Sequence, residues 1–182
     1  MARIEQVRRE NVGTRQQQLY DDIMRTRPRG NLSGPFSVWI YRPDIAEPAN
    51  QLANCFRVSP TLDKRLIELI VLLVCRDATA KYAWSAHVNL AREAGLSAKT
   101  IEAIRARKRP EFGSDDESVV YDLVSELLAS KKVSPATFQR AEAALGRDGI
   151  IEAVSCAGFY GMIGFVLNTF EIPPQPGGDV LS

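Results

Sequence analysis

The stretch Arg65-Leu-Ile-Glu-Leu-Ile-Val-Leu-Leu-Val-Cys75 is almost continuously apolar, and Glu68 is the only acid within it. A run this apolar is typical of a buried strand or of a helix that is buried on nearly all sides. The charge at Glu68 and the preceding pair Ser59-Pro60 favour a helix, because serine can cap exposed backbone N–H groups and proline suits the first helical position. We therefore predict a buried central helix.

The next segment, Thr79-Ala-Lys-Tyr-Ala-Trp-Ser-Ala-His87, carries the only histidine of the chain. It is predicted to lie in a helix from about Thr79 to Glu93 that closes at Ala94-Gly95, where glycine can adopt the left-handed conformation. A neutral imidazole is the usual proton carrier near pH 7, and a carboxylate in apolar surroundings commonly orients it. His87 and Glu68 are therefore the candidate catalytic residues.

Two structural alternatives to this catalytic pair stay open at the level of sequence. His87 can be a buried histidine that is hydrogen-bonded to the backbone. Glu68 should be paired or have a raised pKa, because burying an unpaired carboxylate costs several kcal/mol. Arg65 or Arg76 can supply a structural ion pair for Glu68, and His87 can instead complete a carboxylate–imidazole dyad.

The rest of the chain has helical periodicity, with turn signals that cut it into helix-sized pieces and no alternating run that indicates a sheet. The fold class is therefore all-α, and 182 residues fit a single domain. Gly158, Gly161 and Gly164 lie inside the last predicted helix and indicate a close neighbour, which is a helix, a subunit or a ligand. Further helices are predicted at about 16–25, 43–57, 97–105, 114–128, 134–145 and 149–170.

Turn and cap signals set several of these bounds. The prolines and glycines of residues 27–35 predict a loop. Ser97 and Ser134 are predicted to cap the helices that follow them, and Gly146 to end the helix before it. Ser114 and Glu117 have the spacing of a capping box.

Composition and charge exclude several function classes. The chain has 23 Lys and Arg against 22 Asp and Glu, so no overall field draws it to nucleic acid or to an anionic membrane. Cys55, Cys75 and Cys156 form no Cys-x-x-Cys pair, so neither a disulfide framework nor a zinc site is expected. The odd number of cysteines and the lack of an apolar leader predict a reducing, cytoplasmic setting.

Motifs of other enzyme classes are missing from the sequence. It has no glycine-rich phosphate loop and no acids at metal-binding spacing, and one histidine cannot make a multi-histidine zinc site. Ser85 is two residues before His87 and therefore points to a different side of the helix, and it has no strand-to-helix elbow around it. A serine hydrolase is therefore not expected.

The order of several motifs resembles that of the carboxymuconolactone decarboxylase family, which includes the alkylhydroperoxidase D proteins. The motifs span roughly residues 34 to 173, between an N-terminal extension (1–33) and a predicted flexible tail (174–182). They are Gly34-Pro-Phe, Arg42-Pro-Asp, Arg65-Leu-Ile-Glu-Leu, Tyr82-Ala-Trp-Ser-Ala-His87, Ala91-Arg-Glu-Ala-Gly-Leu-Ser97 and Glu152-Ala-Val-Ser-Cys-Ala-Gly-Phe-Tyr160.

The resemblance implies an alkylhydroperoxidase D-like helical bundle that assembles into trimers or hexamers, with sites near subunit interfaces. It also implies a small-molecule substrate and, in the decarboxylase branch, neither metal nor organic cofactor. Glu68 and His87 match the family's acid and histidine. The redox cysteines of the peroxidase branch are Ala80 and Ala83 here, and the decarboxylase branch usually has glutamate at position 83.

These observations predict a cofactor-independent lyase that acts on a small carboxylated, lactone-like or enolisable compound. His87 would transfer the proton and Glu68 would be its partner. Tyr82 and Trp84 are expected to shape the pocket, and Arg57 or Arg65 to hold a substrate carboxylate. The alternatives are a non-catalytic oligomer, which the loss of an acid at Ala83 favours, and a peroxidase that uses a lone cysteine such as Cys75 or Cys156.

Overall fold

The computed structural model describes residues 2–26, 32–174 and 177–181, and within these ranges the chain is helical with no strand. The predicted all-α class is therefore confirmed. A single 3-10 turn at Arg9–Asn11 precedes the α-helices. These are α1 (Thr14–Thr26), α2 (Pro35–Trp39), α3 (Pro43–Val58), α4 (Lys64–Asp77), α5 (Lys81–Glu93), α6 (Ala98–Arg105), α7 (Asp115–Ser130) and α8 (Pro135–Thr169).

Helix α4 is the centre of the bundle, and α5, α6, α7 and α8 all pack against it. Its middle turns are fully buried, with Leu69, Ile70, Val71 and Leu72 at 0% exposure. The apolar run is therefore a helix surrounded by other helices, as predicted.

The start of α4 differs from the prediction. Helix α3 continues to Val58, so Ser59 and Pro60 lie in the connection, and Asp63 caps α4 by accepting from the backbone N–H of Arg65 at 2.8 Å. Aspartate is as good an N-cap as serine, so the Ser59-Pro60 pair predicted the helix start at the wrong position. The caps predicted at Ser97 and Ser134 are both present.

Helix α8 contains the break that the sequence predicts at Gly146. The backbone there has φ 66° and ψ 177°, so the helical residues before and after Gly146 meet at a kink. Gly164 fulfils the predicted close approach, since an added Cβ would lie 3.0 Å from the Cβ of Ala78. Gly158 and Gly161 have no neighbour within 4 Å at that position. Close packing within the described chain therefore explains only one of these three glycines.

The length and composition of α8 would allow it to cross a membrane, but half of its most apolar window is buried inside the protein. It contacts α4, α7, α5, α3 and α2. These contacts make α8 a core helix of the bundle.

The segment before α3 packs on the body of the bundle. Helix α2 was not predicted, because Pro35 was assigned to a loop; its Phe36, Val38 and Trp39 are buried. Gly34 precedes it with φ 65°, and a Cβ there would lie 2.7 Å from Cε1 of Tyr82. Only glycine meets both requirements without strain. Residues 27–31 of the loop predicted at 27–35 lie outside the described residues.

Residues 177–181 lie against α5 and α6, although the sequence predicted a flexible tail. Asp179 forms ion pairs with Arg92 at 3.0 Å and with Arg105 at 2.5 Å, and Leu181 is 1% exposed. Arg105 also stacks 4.9 Å from the ring centre of Trp84. A buried leucine and a shared carboxylate attach this short segment to the bundle.

A polar cluster joins the start of α4 to the start of α7. Glu117 is 5% exposed and pairs with Arg65, which also binds Asp116 at 2.9 Å. The predicted capping box at Ser114 is therefore wrong, because Glu117 turns to Arg65 and the Ser114 hydroxyl donates to Asp116. The buried Glu117 carboxylate accepts a hydrogen bond from the Arg65 guanidinium instead of from a backbone N–H.

Replacing Arg65 by methionine should lower the free energy of unfolding by roughly 3–5 kcal/mol, because it leaves the Glu117 carboxylate buried and unpaired. Chemical denaturation followed by circular dichroism measures this change. Arg25→Met is the matched control, since the Arg25–Asp22 pair is exposed and contributes at most about 1 kcal/mol. Equal, small losses for both variants would contradict a structural role for Arg65.

Candidate functional site

The turn between α4 and α5 brings Glu68 and His87 to the same level of the bundle. Glu68 precedes Ala78 by ten residues and His87 follows it by nine, so two antiparallel helices place them side by side. The turn is tight: the backbone N–H of Ala80 donates to the Cys75 carbonyl at 2.8 Å, and Thr79 adopts φ 50°.

Glu68 and His87 form a carboxylate–imidazole dyad. Glu68 Oε2 lies 2.8 Å from His87 Nδ1, and the two side chains are only 15% and 17% exposed. Arg65 and Arg76, which sequence offered as partners for Glu68, are used elsewhere: Arg65 at Glu117 and Arg76 at the Arg105 carbonyl. With Nδ1–H donating to the carboxylate, Nε2 of His87 is free to exchange a proton on its other side.

Tyr160 of α8 is the third polar group at this point, and sequence reasoning missed it. Its hydroxyl oxygen lies 3.4 Å from His87 Nε2, and the two rings meet edge to face with centroids 5.1 Å apart. Burial raises the pKa of Tyr160 well above its usual value, and nearby Cys156 and Glu68 add to this effect. Tyr160 is therefore a neutral phenol. The only signal in the sequence was its place at the end of the Glu152–Tyr160 motif.

The three groups open onto a cavity of about 470 Å³. Its walls are mostly apolar and come from α1, α2, α3, α4, α5 and α8. Phe159 forms one wall, with its ring 5.8 Å from that of Phe56 and 6.3 Å from that of Trp39. A mainly apolar cavity with a few convergent polar groups is typical of a small-molecule site.

Among the residues that the structure describes, four charged side chains line this cavity, which are Arg57, Lys64, Glu68 and Glu93. Two are cations and two are anions, so their formal charges balance. The two cations can attract one carboxylate of a ligand, whereas the two anions would repel a second carboxylate. The lining therefore favours a ligand with an apolar body and little net charge.

The structure places two of the four predicted substrate-binding residues at the cavity, namely Tyr82 and Arg57. The other two, Trp84 and Arg65, do not line it. Trp84 is 0% exposed, lies outside the cavity lining and packs under Arg105, and Arg65 is held by Asp116 and Glu117. Trp84 and His87 are three residues apart on α5, and sequence alone did not show which of them faced the cavity.

Two alanines, Ala80 and Ala83, lie at the start of α5, before His87. Ala83 lines the cavity. Ala80 caps the start of α5, and a Cβ added at Gly164 would lie 3.7 Å from the Cβ of Ala80. Neither position supplies a group that can transfer protons or electrons. The polar chemistry at this end of the cavity therefore rests on Glu68, His87 and Tyr160.

The cysteines are poorly suited to nucleophilic chemistry. Cys75 and Cys156 are 1% and 0% exposed, and burial raises the pKa of each thiol, with Glu68 adding to the effect. A thiolate is the reactive form, so these thiols are inert at neutral pH. Cys55 is exposed on α3, away from the cavity. Within the described ranges, no three His, Cys, Asp or Glu side chains gather as metal ligands.

Residues 45–125 match the sequence model of the carboxymuconolactone decarboxylase family. This segment is therefore similar to the family over somewhat less than half of the chain. The match contains both members of the dyad, whereas Tyr160 and the walls from α1, α2 and α8 lie outside it. No curated protein matches the chain.

Solved structures show the same helical fold at low sequence identity. An alkylhydroperoxidase AhpD core, an uncharacterized peroxidase-related protein from Ralstonia eutropha JMP134, aligns with a TM-score of 0.79 and 16% identity over 96% of this chain and 92% of that one. A peroxidase-related protein from Silicibacter sp. TM1040 gives 0.77 and 13% over the same shares. A putative antioxidant defence protein AhpD from Agrobacterium tumefaciens gives 0.68 and 18% over 79% of this chain and 99% of that one. The alkylhydroperoxidase D-like fold is therefore confirmed.

In the folded protein, a thiol reagent such as dithionitrobenzoate should modify one cysteine quickly, namely Cys55. Cys75 and Cys156 should react only after denaturation, when all three thiols become available, because burial protects them and disfavours the thiolate. Absorbance of the released thionitrobenzoate counts the thiols. A Cys55→Ser variant serves as the control and should show no fast phase; rapid reaction of two or more thiols would contradict the burial.

Proposed function

We propose that this protein is a cofactor-independent carboxy-lyase similar to the carboxymuconolactone decarboxylase family, in which His87 transfers a proton under the control of Glu68. The observation that supports it best is the 2.8 Å Glu68–His87 contact at the polar end of a largely apolar cavity. A positioned imidazole contributes roughly 10²–10⁴-fold to a proton transfer.

The reaction requires one proton for each carbon dioxide released. The carbon–carbon bond to the carboxylate breaks, and its electron pair passes into an adjacent carbonyl group as an enolate. The protonated His87 then donates its Nε2 proton to the carbanion carbon, and the imidazole regains a proton from solvent. Glu68 holds Nδ1–H throughout and stabilises the imidazolium, because a carboxylate within hydrogen-bonding distance favours its charged form.

The substrate proposed for this site is a small compound with one carboxylate and a carbonyl or lactone group. Arg57 is the cation proposed to attract the carboxylate, and its charge reaches as far as Tyr160, where it opposes the rise in pKa. Tyr82 supplies part of the wall. Glu93, on the same lining, disfavours a compound with several carboxylates.

The relatives named as peroxidase-related raise a peroxidase as an alternative, but this chain's residues favour it less. Ala80 and Ala83 stand at the positions of a redox pair, and Cys75 and Cys156 are buried thiols with raised pKa. A second alternative is a non-catalytic oligomer that retains the dyad as a buried polar pair. The loss of an acid at position 83 is the feature in its favour.

The decisive test is turnover in His87 and Glu68 variants. A screen of lactones and keto acids, read by carbon dioxide release, first finds an accepted substrate. We then expect His87→Gln to lower kcat at least about 10²-fold, because no group remains to carry the proton. Glu68→Gln should lower kcat less, since the amide can still hold the imidazole but cannot stabilise its positive charge.

Glu102→Gln is the matched control for Glu68→Gln, because Glu102 is an exposed acid on α6 away from the cavity. It should leave kcat unchanged. Turnover that survives His87→Gln in a folded protein would eliminate the proposed mechanism, and no turnover of any compound by the unmodified chain would favour the non-catalytic oligomer.

We also propose that the protein is cytoplasmic and forms a homo-oligomer, a trimer or a hexamer, through the outer face of α8. This face is apolar yet exposed: Ile151, Val154, Met162 and Phe165 are 58%, 37%, 38% and 73% exposed. Gly158 lies between them with open space above it, which permits close approach of another helix. An apolar helix face with no charge on it suits a second copy of the same chain.

Replacing Phe165 by glutamate should shift the protein to a smaller species, because the interface would have to bury an unpaired charge. Analytical ultracentrifugation over a range of concentrations measures the mass. Phe138→Glu provides the control, since Phe138 is exposed near the start of α8 outside this face and should not alter the mass. A monomeric unmodified chain would refute the proposed assembly.

A further inference from the structure

We propose that Tyr160 is a catalytic residue of this site, whose phenol donates a hydrogen bond to the substrate oxygen that becomes negatively charged when carbon dioxide leaves. The inference rests on the proposed lyase function and adds the group that binds the enolate. The Glu68–His87 pair supplies only a proton, so the negative charge that develops on oxygen needs its own donor.

The position of the hydroxyl favours this role. It lies at the lining of the cavity, 3.4 Å from His87 Nε2, so a substrate that reaches one of these groups lies beside the other. A separation of 3.4 Å is longer than a good O–H···N hydrogen bond. A substrate oxygen can therefore replace this weak contact at little cost and accept a hydrogen bond from the phenol hydroxyl.

The surroundings keep the phenol protonated, which a hydrogen-bond donor requires. Tyr160 is 6% exposed, and burial together with Cys156, Glu68 and Cys75 raises its pKa, whereas Arg57 opposes the rise. Deprotonation would place a tyrosinate beside the Glu68 carboxylate in an apolar cavity. Tyr160 is thus suited to donating a hydrogen bond and unsuited to acting as a base or nucleophile.

The ring of Tyr160 is held in place by its neighbours. It meets His87 edge to face at 5.1 Å and Phe159 at 5.7 Å with an interplanar angle of 90°. A donor that is fixed before the reaction does not have to reorganise as charge develops, which is the condition for effective oxyanion stabilisation. Phe at this position would retain the ring packing and lose only the donor.

The test compares two probes that differ by one oxygen, 4-nitrophenolate and nitrobenzene. The phenolate mimics an enolate oxygen, and the measurement is done at a pH where the free probe is already ionised. Binding to the unmodified chain should favour the phenolate. Tyr160→Phe should weaken phenolate binding about tenfold or more, as expected for loss of a hydrogen bond to a charged group, and leave nitrobenzene binding unchanged.

Tyr121→Phe is the matched control, because Tyr121 lies on α7, packs against Phe112 and is not part of the cavity. It should bind both probes as the unmodified chain does. Equal loss of both probes in Tyr160→Phe, no loss of either, or no preference for the phenolate in the unmodified chain would each overturn the proposal.

Kinetics separate this inference from the proposed function. With a substrate in hand, Tyr160→Phe should lower kcat about 10²-fold with little change in KM, as removal of one oxyanion donor does elsewhere. The His87 ring signals should also shift in NMR spectra of this variant. If His87→Gln abolishes turnover but Tyr160→Phe retains full kcat, the lyase function stands and the role of Tyr160 is wrong. If His87→Gln retains turnover, the lyase mechanism fails regardless of Tyr160.

Discussion

The hydrogen bond between Glu68 and His87 pairs a carboxylate that the central helix α4 would otherwise leave in apolar surroundings without a partner. Helix α4 is buried on nearly all sides, and an ionised carboxylate within it has to be paired or neutralised. The imidazole from α5 lies 2.8 Å away, and the tight turn at Ala78–Ala80 puts the two helices in register for this contact. The polar end of the cavity depends on this one contact.

The cavity shows how the bundle isolates this polar pair. Walls from the N-terminal helices α1 and α2 and from α8 complete a space that the family-matched segment 45–125 does not enclose alone. Helix α8 brings in Tyr160 as well, so the site is assembled from parts of the chain that are distant in sequence. Apolar walls strengthen electrostatic interactions among the few polar groups inside, because water is excluded.

Much of the helical pattern could be predicted from local signals, and the errors have local causes. Ser97, Ser134, Gly95 and Gly146 act as the sequence suggested, because caps and left-handed glycines depend on adjacent residues. Asp63 replaced Ser59 as a cap, since two valid cap residues stood close together. Glu117 left its expected capping box because a buried carboxylate gains more from Arg65 than from a backbone N–H.

The sequence by itself determined the helical class, the buried central helix, the family resemblance and the two candidate catalytic residues, because periodicity and motif spacing are local properties. Only the tertiary structure decided that Glu68 contacts His87 rather than an arginine. It also decided that Trp84 and Arg65 do not line the cavity, and that Tyr160 lies beside the dyad. These choices depend on how each helix is rotated about its own axis against its neighbours. That rotation is set by the packing of the whole core, so a single segment does not reveal it.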